Sequence, residues 1–139
     1  MLSFLGDVNW WAVLVCAAAS MAIGFMWYGP LFSKPWGQLT GWTEEKIAAL
    51  PKSKLPVNYI LAFIAAFVIA GILALTLLAT GSDGIGDSIV TAILLWVGFT
   101  GATIGVNMIF ERRNFNLFCI EAGYHLTALM VYAVILSAW

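Results

Sequence analysis

Four uninterrupted apolar runs, each long enough to cross a lipid bilayer, constrain this chain more than any other feature. They extend from about Val8 to Tyr28, Val57 to Ala79, Ile85 to Phe110 and Phe115 to Trp139. A helix rises about 1.5 Å per residue, so roughly 20 residues cross a hydrocarbon core of about 30 Å. Backbone N–H and C=O groups find no water there, which restricts spanning segments to helices or closed barrels. The runs are continuous rather than alternating and four strands cannot close, so a barrel is excluded. The predicted fold is all-α: an integral membrane four-helix bundle, one domain over residues 1–139.

Composition agrees with this reading. With 63% hydrophobic and 9% charged residues, the chain has too little polar surface to cover a water-soluble domain of 139 residues. The bilayer is its expected main partner, and no basic tract suited to nucleic acid occurs. Cys16 and Cys119 both lie in predicted spans without a CxxC pattern, so no structural disulfide is expected. The first run carries the small residues Cys16-Ala17-Ala18-Ala19 but no basic segment before them, and is read as a retained span rather than a signal peptide.

Charge sets the orientation. Of the 6 Lys and Arg, Lys34, Lys46, Lys52 and Lys54 lie between the first and second runs, and Arg112 and Arg113 between the third and fourth. The positive-inside rule then predicts both connections on the cytoplasmic side of a bacterial inner membrane, with the N-terminus and C-terminus outside the cytoplasm. Trp10, Trp11 and Trp139 fall at the outer boundary and Trp27, Tyr28, Trp36, Trp42 and Tyr59 near the inner one, where amphipathic rings prefer the headgroup layer. Trp96 alone sits in mid-span, where packing is its expected role.

The long connection, residues 29–56, has internal structure. Gly29-Pro30 should end the first helix, because proline breaks the ladder and restricts the residue before it. Thr43 can cap a short amphipathic interfacial helix with Glu44 and Glu45 in its first turn, stopped by Pro51. Lys46, Lys52 and Lys54 would face anionic headgroups, with docking of a protein partner as the other reading. Gly81-Ser82-Asp83-Gly84 reads as the outer turn.

Several local signatures have a familiar form. Trp27-Tyr28-Gly29-Pro30-Leu31-Phe32, then Lys34, Trp36, Gly41 and Thr43-Glu44, followed later by Trp96-x-Gly98-Phe99, Asn107, Phe110-Glu111-x-Arg113 and Gly123-Tyr124-His125-Leu126, resemble domain-of-unknown-function family 1761, small bacterial membrane proteins. Ser33 stands where that pattern has a glycine. The resemblance covers nearly the whole chain and implies four spans; it implies no activity and no functional residues.

Small residues mark helix contacts, since lipid supplies no hydrophobic drive between helices. Ala62, Ala66, Ala70 and Ala74 recur every fourth position in the second run, and Gly98, Gly101 and Gly105 share a face of the third. Whether these faces meet inside one bundle or between subunits is open at this level; a homo-oligomer, a dimer first, is expected. Extrapolating at about 100° per residue, Trp96, Thr100, Thr103 and Asn107 form one line opposite the glycines. Ser20 on the first helix and Glu121, His125 and the adjacent Tyr124 on the fourth are expected to meet that line in one polar layer, roughly 9 to 15 Å from the cytoplasmic ends.

Glu121 and His125 lie one turn apart in an apolar segment, where unpaired ionisable groups are costly. They predict either a mutually bonded pair that fixes packing, or a proton relay or ligand site. One His and one Glu are too few for a closed metal site, and Glu-x-x-x-His is not the spacing of di-iron bundles, although a two-fold dimer could double the set. Ser20 and Cys119 lack any nucleophile motif, and no cofactor is expected. The leading expectation is a non-enzymatic structural or interaction protein. Proton-coupled or small-molecule transport or binding is the alternative, and an integral membrane enzyme comes third. A cavity reaching His125 would favour transport or binding; dry packing around it would favour the structural role.

Overall fold

The computed structural model describes all residues, Met1 to Trp139, and contains helices and turns without strands. A 3-10 helix, Leu2–Asp7, precedes α1, Trp10–Met26, whose first turn is capped by Asn9 accepting from the Ala12 N–H at 3.2 Å. Two short helices follow, α2 at Ser33–Thr40 and α3 at Glu44–Ala48. The long helix α4 runs over Leu55–Thr80, α5 over Gly84–Leu95, α6 over Ala102–Phe110 and α7 over Phe115–Ala138. A π turn at Trp27–Leu31 extends α1, and another at Trp96–Gly101 joins α5 to α6.

Four helices are long and apolar enough to cross a membrane: Trp10–Leu31, Lys52–Thr80, Gly84–Phe110 and Phe115–Ala138. They coincide with the apolar runs, the second starting a turn earlier. Thr43 caps α3 as expected, its hydroxyl accepting from the Lys46 N–H at 3.2 Å. The helix α2 is not predicted from the sequence. Regular α-geometry in the first span ends at Met26, three residues before Gly29-Pro30, and the backbone breaks at Gly29 with φ −102° and ψ −106°.

α1 and α7 form the centre of the bundle. α1 lies against α4 on one side and α7 on the other, while α7 also carries α5 and α6; α4 and α5 barely touch. Val13 and Cys16 of α1, Leu73 and Ala74 of α4, and Leu129 and Ala133 of α7 belong to one buried core cluster. Ala70 and Ala74 lie in that cluster and Ala66 is buried as well, as their spacing predicts, because a methyl-only surface lets the neighbouring backbone approach. Ala62, the first of that stripe, is instead exposed.

The third span departs from its predicted face. Thr103 and Asn107 are exposed on the outside of the bundle, as is Gly98, whereas Gly101 and Met108 are buried. The π turn is the cause: an i→i+5 turn holds one extra residue, which rotates everything after it by about 100° relative to an ideal helix. After that rotation Gly101, Gly105 and Met108 follow Trp96 on the inward face, and Thr103 and Asn107 leave it. Gly101 and Gly105 therefore serve contacts within this one chain, with Trp96 and Phe118 the nearest side chains.

Candidate intramembrane binding groove

Both π turns begin at a tryptophan that is fastened to α7. The Trp27 indole N–H donates to the Ile120 carbonyl and the Trp96 indole N–H to the Ala122 carbonyl, each at 2.9 Å. Each ring rests on a glycine. A Cβ on Gly123 would lie 3.2 Å from the Trp27 ring, and one on Gly101 would lie 3.2 Å from the Trp96 ring. Indole is a donor only, so in an apolar layer it must find an acceptor. Here the acceptors are main-chain carbonyls of the neighbouring span.

Between α4 and the third span, where the two flanking elements fail to close, lies an open-sided cavity of about 530 Å³. Its floor is α1 and α7, through Ser20, Tyr124, His125 and Tyr132; its walls are Ala65, Ile69 and Ile72 of α4 and Leu95, Phe99 and Thr100 of the third span. A second hollow of about 340 Å³ continues it toward the Gly29 break, sharing Ser20, Met21, Ala62 and Tyr124 and reaching Tyr28 and Tyr59. Each π turn thus borders the groove, supplying Tyr28 and Gly29 at one end and Phe99 and Thr100 at the side.

His125 lies ten residues past Phe115 and thirteen before Ala138, in the middle of α7. Its ring packs edge-on against Tyr124 with centroids 5.1 Å apart, and Tyr124 in turn meets Tyr28 at 5.5 Å. The Tyr124 hydroxyl donates to the Ser20 carbonyl at 3.3 Å. His125 makes no hydrogen bond to another protein group. No buried side-chain nitrogen or oxygen lacks a partner, so the imidazole nitrogens are not sealed in the core, and His125 lines the groove. The Thr100 hydroxyl, also unpaired within the chain, lines the same space.

The predicted polar layer is therefore divided. His125, Tyr124, Thr100 and Ser20 come together around the groove. Thr103 and Asn107 do not join them, for the rotational reason given above. Glu121 does not bond His125. Its carboxylate faces Arg113 at 3.8 Å, and Arg113 is held by Glu111 at 2.7 Å, so Glu121 belongs to a partly exposed charge cluster at the end of the bundle. An arginine just outside the span reaches back to it, a contact that one-turn spacing within α7 does not reveal. No group of three or more His, Cys, Asp and Glu comes together.

The α4 wall of the groove is not among the sites expected from the sequence. Ala62, Ala65, Ala66, Ile69, Ile72 and Leu73 follow the i, i+3, i+4, i+7 pattern of one helical face. That pattern is visible in the sequence, but nothing local shows that part of the face lacks a neighbour.

Fold and site define an all-α multi-pass membrane protein with a groove opening sideways at mid-span. The chain belongs to the family described as Protein of unknown function (DUF1761), whose model matches residues 11–137. None of the curated proteins matches it, and neither does any solved structure.

Proposed function

We propose that this protein binds a lipophilic small molecule taken laterally from the bilayer into the groove around His125. One observation carries the reading: an imidazole without a protein partner, half-way along a spanning helix, faces an apolar cavity of about 530 Å³. Pockets for small ligands run from about 300 to 1,000 Å³ and pair apolar walls with a few placed polar groups. A purely structural role would have His125 bonded, since an unpaired polar group in hydrocarbon is costly. The helix contacts through alanine and glycine fold the single chain and leave the groove free. In our reading the groove lies in a bacterial inner membrane, with the basic connections on the cytoplasmic side.

The test is photolabelling in vesicles with a diazirine-bearing hydrocarbon. Adducts are expected to concentrate on α4 between Ala62 and Ile72 and on α7 between Tyr124 and Tyr132. Ala65→Trp, which adds bulk at the exposed groove wall, should remove them while helicity is kept. Labelling spread evenly over all lipid-facing residues, or insensitive to Ala65→Trp, would overturn the proposal.

A further inference from the structure

The lining of the groove also limits what its ligand can be, provided that the groove is a binding site as proposed above. We infer that the ligand is a long single-chain lipophile with an uncharged carbonyl or hydroxyl head, which hydrogen-bonds Thr100 and His125 at the centre of the membrane.

Charge comes first. Neither the main cavity nor its extension is lined by a Lys, Arg, Asp or Glu. The only charged cluster near α7, Arg113 with Glu111 and Glu121, is internally paired at the bundle end and lines neither hollow. An anionic head beside His125 would have no fixed counter-charge. Pairing with a protonated imidazole would place two ions where their desolvation is most expensive.

Depth comes next. His125 is central in α7, roughly 15 Å from its start at 1.5 Å per residue, and the hydrocarbon core is about 30 Å thick. A phospholipid's phosphate is confined to the headgroup layer. Its acyl chain could lie along Ile69 and Ile72 but would leave Thr100 and His125 unsatisfied. A head that carries no charge is free to sit at that depth.

A neutral imidazole offers one donor and one acceptor, and a threonine hydroxyl offers both. Together they suit the oxygen of a ketone, quinone or alcohol. From that point the groove runs one way past Ile69, Ile72 and Leu73 toward Tyr132, and the other way past Met21 and Phe25 to Tyr28. The two hollows adjoin through Ser20, Met21, Ala62 and Tyr124 and offer apolar surface to a single chain on either side of the polar pair.

The experiment uses the same hydrocarbon photolabel in vesicles, with competitors added at equal mole fraction: a decyl-substituted benzoquinone, hexadecanol, palmitate at pH 8, and phosphatidylglycerol. The quinone or the alkanol, or both, should suppress groove labelling at least fivefold, and the two charged lipids should not. Equal competition by palmitate or phosphatidylglycerol would overturn the inference while leaving groove binding intact. Absence of groove-specific labelling in any arm would instead defeat the underlying proposal. In His125→Phe and Thr100→Val, hydrocarbon labelling should persist while the effective competitor concentration rises up to about tenfold, one lost hydrogen bond. Unchanged competition in both variants would place the head elsewhere and overturn the inference.

Discussion

Trp27 and Trp96 show how single side chains set the geometry of this protein. Each supplies a hydrogen bond to α7 and a flat surface lying on a glycine. Replacing either indole by Phe keeps most of the packing and removes the donor, so Trp27→Phe and Trp96→Phe should each lower unfolding free energy by about 0.5–1.5 kcal/mol. The glycines under the rings make a sharper test. Gly101 already leaves no slack beneath Trp96, and Gly101→Leu should destabilise by about 1–3 kcal/mol through overpacking. The expected result is a lower melting temperature with an unchanged mass in detergent, because the contact is internal to one chain. A fall in mass would put a subunit interface there. Sequence spacing identified Gly101 and Gly105 as close-approach residues and His125 as an ionisable group in lipid. It could not supply their surroundings, which depend on the π turn that lays the Trp96 ring over Gly101 and on the docking of α7, which brings Phe118 beside Gly105.

At the scale of elements, termini and turns follow short-range rules and interior distortions do not. α4 ends with the Gly81 N–H bonded to Leu78 and the Ser82 N–H to Leu77, around Gly81 at φ 65°. α6 ends in the same motif, Arg112 to Ile109 and Arg113 to Met108, but with Arg112 at φ 55°. A Cβ in the left-handed region is strained, which is why glycine is usual at this place. Arg112→Gly should therefore stabilise the protein by up to about 1 kcal/mol, less whatever freedom glycine adds to the unfolded chain. Thermal unfolding in one detergent at one pH would measure it. The Thr43 cap and the turn at Gly81-Ser82-Asp83-Gly84 are legible in order of residues alone, whereas the Asn9 cap is not among the sequence expectations. The π turns are not legible there. Each begins at a tryptophan bonded to a carbonyl of α7, a contact that residue order does not reveal, and the one at Trp96–Gly101 turns the polar line of the third span outward.

For the molecule as a whole, hydropathy and charge act over lengths that no tertiary contact alters. In the proposed orientation, single cysteines at Ser82 or Trp139, in a background without Cys16 and Cys119, should react with a membrane-impermeant maleimide from the periplasmic side. A cysteine at Ser53 should react only after the membrane is opened; the reverse pattern would invert the topology. Residue order was enough for the number of spans, their limits and their helical nature, because each backbone group in hydrocarbon must be paired within its own segment. Which faces meet was decided by tertiary structure. α1 and α7 take the centre, Trp27 of the first span and Trp96 of the third bond to α7, and α4 stands away from the third span. The groove is the space left by that arrangement, a property of where helices fail to touch, and no local pattern of residues specifies an absence of contact.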